Sequence, residues 1–367
     1  MRMIETKNKK PQDFLSEKIK KIKPYSLNND ITNFRIRLDA NESFINLPEF
    51  IVREINKAVA NIDFNRYPDF LASDLIKKYA GTIGIDGKYI VAGNGSDELI
   101  NIIINSFLSK GDKILTFTPD FSMYAFYSEI IEAEIIRIEK KSSEDFNIDF
   151  EKIAEIVKEQ GVKVVIFSNP CNPTGKLTDK AILEKFLREV DALVIIDEVY
   201  MTFCDDSENQ SFIKDFNDYP NLIILKSLSK AFGLASIRTG FAIANEVFIN
   251  VLKSTKSPYN LNAVSQKIAE TVLSYMDYID ENAKLIKENK AELEYEMRRI
   301  SDLYGYKVHE TQTNFVVIET DKAGEIFEYL LNNGILIRQL NDRFLRITTG
   351  SKEENKDLLG LLREKEL

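Results

Sequence analysis

The sequence predicts an α/β protein with a mostly parallel central sheet and a smaller α+β domain. Short runs of apolar, β-branched residues recur through the middle of the chain, and they are nearly continuous, as is typical of strands buried on both faces. These runs lie at residues 89–92, 113–117, 134–138, 162–167, 192–196 and 221–225. Amphipathic stretches separate several of them, at residues 97–108, 150–160 and 179–188. Strand and helix patterns that alternate in this way favour parallel pairing.

The C-terminal part of the chain has a different pattern, which predicts the smaller domain. A long helical region rich in Glu and Lys covers residues 262–299. Strand patterns at 314–319, 335–338 and 344–348 and a helix pattern at 323–332 follow it. The predicted division is an N-terminal arm belonging to the small domain (1–48), a large domain (49–258) and a small C-terminal domain (259–367).

Composition limits the classes of function. The net charge is −9, so we expect no electrostatic binding of nucleic acid or anionic lipid. No apolar run predicts a signal peptide or a membrane span, and Cys171 and Cys204 predict no disulfide framework, which suits a reduced cytoplasm. The single histidine, His309, excludes a multi-histidine metal site, so we expect no metal. It stands in a polar stretch, and we expect it at the surface.

One basic run, at residues 7–23, precedes the predicted strands. Leu15, Ile19 and Ile22 fall within it at helical spacing, which predicts a short surface helix with a solvated basic face. A partner site on that face is the alternative.

Polar residues follow several predicted strands, and ligands of open α/β sheets bind beyond the carboxyl ends of the strands. Gly95, Ser96 and Asp97 follow the first strand and begin a helix pattern, where free backbone N–H groups suit a phosphate. An ordinary capped turn explains this pattern equally well. Asn172 lies in a loop fixed by prolines and a glycine, where it offers an amide donor or belongs to a rigid turn.

A carboxylate and a lysine follow the next two predicted strands. Asp197 ends an apolar strand, where burial is costly unless a bound cation, a protonated nitrogen, a salt bridge or a helix cap satisfies it. Ser227 and Ser229 surround Lys230, and Arg238 follows eight residues later. This setting suits a Schiff base to a phosphorylated aldehyde, although Lys230 alone could be a solvated lysine. All four features at neighbouring strand ends together indicate one ligand site.

The motifs that contain these residues resemble those of a known family. From about Tyr25 to the C-terminus, the sequence resembles the fold-type I, aspartate-aminotransferase-like enzymes that use pyridoxal 5′-phosphate (PLP), and within them the histidinol-phosphate aminotransferase group. The motifs are Asn172-Pro-Thr-Gly, Asp197-Glu-Val-Tyr and Ser227-Leu-Ser-Lys-Ala-Phe-Gly, in this order. The resemblance implies the PLP-dependent transferase fold, with PLP as the cofactor.

The resemblance also implies roles for individual residues. Lys230 matches the Schiff-base lysine, and Asp197 matches the carboxylate that pairs with the pyridine nitrogen. Asn172 and Tyr200 match the donors to the 3′-oxygen, and Phe121 falls where an aromatic ring stacks on the cofactor. The implied phosphate ligands are the side chains of Ser227, Ser229 and Arg238 and the backbone amides of Gly95, Ser96 and Asp97.

Other matches concern the partner subunit and the substrate. Tyr67 matches the tyrosine that reaches the cofactor phosphate of the partner subunit, which implies a homodimer with shared active sites. The implied substrate-binding residues are Tyr25, Asn41, Arg338 and Arg346; a guanidinium can bind a carboxylate or a phosphate bidentately. The sequence departs from the group at Ser43-Phe44, at Cys171 and within residues 26–34. These departures lie on the substrate side and leave the cofactor assignment intact.

The implied activity is transfer of an amino group between glutamate/2-oxoglutarate and a phosphorylated amino substrate such as histidinol phosphate. The alternative enzyme is a decarboxylase of the phosphoserine or phosphothreonine type, because the cofactor motifs do not decide which Cα bond breaks. A regulatory module of the same fold is a third hypothesis. Such modules carry an extra DNA-binding domain or lack the lysine, whereas this acidic chain keeps Lys230.

Overall fold

The computed structural model describes residues 10–21 and 34–364. Its strands are β1 (Ile36–Leu38), β2 (Ile90–Asn94), β3 (Lys113–Thr118), β4 (Glu134–Glu139), β5 (Val164–Ser168), β6 (Leu193–Asp197), β7 (Leu222–Ser227), β8 (Thr239–Ala244), β9 (Lys307–His309), β10 (Phe315–Glu319), β11 (Ile335–Gln339) and β12 (Phe344–Thr348). They form two sheets, one of seven strands and one of five.

Helices cover these sheets and connect their strands. The α-helices are α1 (Glu17–Lys21), α2 (Glu49–Ala60), α3 (Ser73–Ile83), α4 (Gly95–Phe107), α5 (Met123–Ile130), α6 (Phe150–Gln160), α7 (Lys180–Glu189), α8 (Ser207–Gln210), α9 (Glu246–Thr255), α10 (Ala263–Val272), α11 (Met276–Tyr304), α12 (Ala323–Asn332) and α13 (Lys352–Glu364). Over the residues that the model describes, none of these helices is long and apolar enough to cross a membrane.

The larger sheet has the strand order β2-β8-β7-β6-β5-β3-β4. Strands β4, β3, β5, β6 and β7 pair in parallel, whereas β8 runs antiparallel between β2 and β7. All six strand patterns of the middle of the chain correspond to strands of this sheet, and the prediction of a mostly parallel α/β sheet is confirmed. The sequence analysis did not find β8, whose small residues (Gly240, Ala242, Ala244) weaken its strand pattern.

The smaller sheet has the order β1-β11-β12-β10-β9. Strand β1 pairs in parallel with β11, and the other pairs are antiparallel. This sheet packs against α11, α12 and α13 around its own apolar core, which includes Met297, Leu330 and Leu358. The first described strand of the chain therefore belongs to the C-terminal sheet.

Short-range signals set several helix ends. In α6, the Asp149 side chain accepts a hydrogen bond from the amide of Lys152, and Gly161 ends the helix with a φ of 64°. The helical region predicted as one piece over 262–299 is two helices, α10 and α11. They are separated by residues 273–275, where Tyr275 is not helical.

The expected surface position of His309 is wrong. His309 is 2% exposed, because β9 pairs with β10 and the rings of Phe146 and Phe344 lie against its imidazole. Its Nε2 atom lies 2.9 Å from a carboxylate oxygen of Glu319. The polar residues around His309 in the sequence led to the expectation of exposure. That expectation failed because a histidine with a hydrogen-bond partner can be buried at low cost.

Within the described part of the basic N-terminal run, a 3₁₀ helix covers Pro11–Phe14 and α1 covers Glu17–Lys21. Leu15 and Ile19 are exposed there, and the Lys18 ammonium donates to the carbonyl of Ile130 at 2.8 Å. Ile22 lies outside the described residues.

Candidate active site

The polar residues predicted from the sequence meet at one edge of the larger sheet. Ser168 at the end of β5 is in register with Asp197 at the end of β6, and Asp197 is in register with Leu225 of β7. The amide of Asn169 donates to the carbonyl of Asp197 at 2.9 Å. Because these strands are parallel, their carboxyl ends place the loops that follow side by side.

Two serines and an arginine form a cup at the end of β7. The hydroxyl of Ser227 donates to that of Ser229 at 2.9 Å and accepts from the Ser229 amide at 3.1 Å. The Arg238 guanidinium lies 3.4 Å from the Ser229 hydroxyl. A phosphate binds where several hydrogen-bond donors and a positive charge come together. The two hydroxyls and the guanidinium supply part of this donor set, and the N-terminus of α4 adds to it.

The N-terminus of α4 lies against this cup because two glycines permit close contacts. A Cβ atom added to Gly95 would lie 2.7 Å from an Arg238 nitrogen. A Cβ atom on Gly240 would lie 2.3 Å from the amide nitrogen of Ser96. The absence of side chains at these positions lets β8 and Arg238 approach the first turn of α4, where Ser96 and Asp97 have free amides.

Lys230 lies next to the cup and is partly buried. Its Nζ atom donates to the carbonyl of Ala40 at 2.8 Å. Burial, with a further contribution from the charge of Arg346, lowers the pKa of Lys230 to about 8. A lowered pKa increases the neutral fraction of a lysine near neutral pH, and the neutral amine is the form that acts as a nucleophile or base.

Asp197 is buried, and burial raises its pKa to about 7. Two donors act against this rise: the hydroxyl of Tyr124 at 2.9 Å and the amide of Val199 at 3.1 Å. A buried carboxylate with only neutral hydrogen-bond donors is poised to pair with a protonated nitrogen. The sequence analysis assigned no role to Tyr124, which carries no signal other than its place on an apolar helix.

Arg346 fixes the orientation of Asn172. Its guanidinium donates to Asn172 Oδ1 at 2.6 Å and to the carbonyl of Asp39 at 2.5 Å, and it lies over the Phe315 ring, 5.4 Å from the centroid. Since a guanidinium has only donors, it holds the amide with Oδ1 towards itself, which leaves the Nδ2 donor of Asn172 for a ligand oxygen.

Tyr200 and Asn41 are joined in the same region, and both are buried. The Asn41 amide donates to the Tyr200 hydroxyl at 2.8 Å, and its backbone N–H donates to the Thr348 hydroxyl at 2.9 Å. Asn41 has a φ of 53°, in the left-handed region that Asn tolerates better than most residues. Thr348 and Asn314, which donates to the Asn41 carbonyl, are residues that the sequence analysis missed.

The other predicted site residues are Phe121, Tyr67, Arg338 and Tyr25. Phe121 is partly buried, with its ring 5.5 Å from that of Tyr124. Tyr67 is 80% exposed and stacks on Tyr259 at 4.5 Å, so within one chain it is not joined to the site. Arg338 lies directly across from Arg346 in the β11–β12 pair and is partly buried. Tyr25 lies outside the described residues.

Comparison with known proteins places this site in a family. The model of the family described as "Aminotransferase class I and II" matches residues 35–362. A histidinol-phosphate aminotransferase of Clostridium novyi is 40% identical over 357 residues, which is 96% of this chain and 97% of that protein. The crystal structure of the histidinol-phosphate aminotransferase from Clostridium acetobutylicum aligns with a TM-score of 0.80 at 26% identity, covering 89% of this chain and 98% of that one.

A third match has a lower identity and supports the fold alone. The histidinol-phosphate aminotransferase from Sinorhizobium meliloti, in complex with pyridoxal-5′-phosphate, aligns with a TM-score of 0.82 at 23% identity, over 90% of this chain and 91% of that one.

The chain therefore belongs to the class I and II aminotransferases. Within this family it is similar to the histidinol-phosphate aminotransferases, as the motifs predicted. Membership of this family confirms the predicted fold class, the predicted enzyme class and the predicted cofactor, PLP.

Proposed function

We propose that the chain moves an amino group between glutamate/2-oxoglutarate and a phosphorylated amino substrate such as histidinol phosphate. The observation that carries this proposal is the placement of the Lys230 amine. It lies beside a phosphate-type cup and close enough to Arg346 for that charge to lower its pKa. A nucleophilic amine between two anion sites suits a phosphorylated cofactor on one side and an anionic substrate on the other.

The residues of the site fit PLP. Ser227, Ser229, Arg238 and the N-terminus of α4 would hold its phosphate, and Asp197 would pair with its ring nitrogen. The Nδ2 donor of Asn172 and the hydroxyl of Tyr200 would face its 3′-oxygen. When bound, the cofactor supplies an electron sink for the charge that develops at the substrate Cα.

Proton transfer belongs to Lys230. With the cofactor held in the site, the neutral Lys230 Nζ would accept the proton from the substrate Cα and would then donate it to the cofactor, as transamination requires. A pKa of about 8 leaves about a tenth of this amine neutral at pH 7, far more than for an ordinary lysine. Asp197 stays charged when a protonated ring nitrogen is beside it, and its negative charge keeps that nitrogen protonated.

The substrate side offers two cations on one sheet face. Arg338 and Arg346 are directly opposite in an antiparallel pair, where side chains are neighbours and like charges are unfavourable. An anion between them would relieve this repulsion and accept hydrogen bonds from both guanidinium groups. We assign this position to a carboxylate or phosphate of the substrate, with Asn41 and Tyr25 contributing to the same pocket.

We further propose a homodimer with shared active sites, located in the cytoplasm. The exposed rings of Tyr67 and Phe70 both contact the Tyr259 ring, and Tyr67 stacks on it. Contiguous exposed aromatic side chains favour association of two chains, and Tyr67 would then reach the partner's cofactor. The domain division remains a prediction from the sequence: an N-terminal arm that is part of the small domain (1–48), a large domain (49–258) and a small C-terminal domain (259–367).

The test uses the absorption spectrum of the PLP-loaded protein with L-glutamate and no keto acid. An aminotransferase linked to glutamate loses the visible band as the cofactor is aminated, and 2-oxoglutarate restores it. An unchanged band with glutamate, together with CO₂ release from a phosphorylated amino acid, would instead establish the decarboxylase alternative.

A further inference from the structure

A buried ion pair lies behind the proposed cofactor site and is used by none of the roles above. The Lys140 ammonium is 2.8 Å from Asp120 Oδ2, and the two side chains are 6% and 1% exposed. Lys140 directly follows β4, and Asp120 follows the end of β3 by two residues. The Lys140 ammonium also lies 3.0 Å from the thiol of Cys171, where the sequence departs from the aminotransferase pattern.

The Asp120 carboxylate holds the backbone on both sides of the site. Its Oδ1 atom accepts from the amide of Phe121 at 2.8 Å and from the hydroxyl of Ser168 at 2.5 Å. The Ser168 hydroxyl in turn accepts from the backbone N–H of Asn172 at 3.0 Å. One carboxylate therefore connects the residue assigned to ring stacking with the residue assigned to the 3′-oxygen.

We propose that the Lys140–Asp120 ion pair is a positioning element of the cofactor site, which fixes Phe121 and Asn172 from behind and keeps the charge beside Asp197 balanced. This inference rests on the proposed function, because it takes the roles of Phe121 and Asn172 from it. Neither Lys140 nor Asp120 touches substrate or cofactor in this account; both act through the residues that they hold.

The second part of this role is electrostatic and depends on the charges near Asp197. The negative charge of Asp120 is among the influences that raise the pKa of Asp197, after burial, and it also acts on Tyr124. The Lys140 ammonium offsets this charge, and the negative charge of Asp120 in turn raises the pKa of Lys140 in spite of its burial. The ionisable groups that interact with Asp197 include Tyr124, Asp120, Lys226 and Tyr200, and those that interact with Lys230 include Arg346, Glu42, Arg238 and Asp39.

Removing one or the other partner of the ion pair should shift the pKa of the linkage between Lys230 and the cofactor in opposite directions. Lys140→Met leaves an uncompensated negative charge near the site, which favours the protonated form of the linkage between Lys230 and the cofactor. Asp120→Asn leaves an uncompensated positive charge, which favours the neutral form. In general, a unit charge about 10 Å from a titrating group shifts its pKa by about one unit at an effective dielectric constant of about 20. The midpoint should move upwards in the first variant and downwards in the second.

The experiment titrates the visible absorption band of each PLP-loaded variant with pH and measures the dissociation constant of PLP from each apoenzyme. Lys140→Met/Asp120→Asn removes both charges, and its midpoint should return towards the wild-type value. This double variant also keeps the test available where a single change unfolds the chain, since breaking a buried pair on one side costs more than removing it. The matched control is Lys141→Met, which removes an exposed neighbouring lysine paired with Glu144.

The two parts of the inference have separate readouts. Opposite midpoint shifts in the single variants, with the double variant near wild type and Lys141→Met unchanged, support the electrostatic role. A PLP dissociation constant raised about tenfold in the double variant supports the positioning role. Midpoints that do not move, or that move in the same direction in both single variants, would overturn the inference. A wild-type protein without a visible band would instead overturn the proposed function.

Discussion

Tyr124→Phe tests how the site controls the charge of Asp197. The change removes a hydroxyl that donates to Asp197 Oδ2 at 2.9 Å and leaves the ring, which is fully buried. A hydrogen bond to a charged group contributes about 1.5–3 kcal/mol, and 1.36 kcal/mol corresponds to one pKa unit. We therefore expect the pKa of Asp197 in the apoenzyme to rise by about one to two units above its value of about 7.

The assay is the pH dependence of PLP binding to the apoenzyme, followed by absorbance. The ionised form of Asp197 attracts the protonated ring nitrogen, so the lower limb of the binding profile should move to higher pH in Tyr124→Phe. Tyr306→Phe is a matched control, because Tyr306 is also buried but its hydroxyl donates to the Met297 carbonyl in the smaller core. A profile with the same midpoint in wild type and Tyr124→Phe would refute the proposed link between Tyr124 and Asp197.

Two further predictions concern stability and substrate binding. Because burial raises the pKa of Asp197 to about 7 from its ordinary value of 3.8, the folded apoenzyme binds this proton more tightly than the unfolded chain. The contribution of this proton to the free energy of unfolding is therefore complete below pH 3.8 and is lost as the pH rises through about 7. In chemical denaturation, Asp197→Asn should flatten this part of the plot of the free energy of unfolding against pH. An unchanged slope would contradict the assignment. Arg346→Met should raise the KM for glutamate about 10- to 100-fold, since it removes a charge-assisted hydrogen-bond donor, while the PLP band persists. A KM equal to that of the wild type would show that the substrate anion binds elsewhere.

The sequence predicted the larger sheet well, because strands buried on both faces are read directly as apolar runs. The motifs predicted Asp197 at the end of one strand and Ser229 and Lys230 in the loop after the next strand, and the structure pairs these two strands, β6 and β7, in parallel. Strand β8 was not predicted because its small residues carry little strand signal. Its close contact with α4 is visible only in three dimensions.

Contacts made by distant residues could not be predicted from local patterns. Tyr124, Asp120 and Lys140 each lie on or after an ordinary element and gain their place through a partner 20 to 73 positions away in the chain. The polar sequence around His309 gave the wrong expectation, because its partner Glu319 lies on the neighbouring strand.

The central claim, that Lys230 holds the cofactor, can be tested without any substrate. The PLP-loaded protein is treated with borohydride, which reduces the linkage between lysine and cofactor to a stable amine, and the modified peptide is identified by mass spectrometry. We expect the added mass on Lys230 of the wild type. In Lys230→Ala, we expect both the added mass and the visible band to be lost. The same mass on another lysine, or a visible band that persists in Lys230→Ala, would contradict the account.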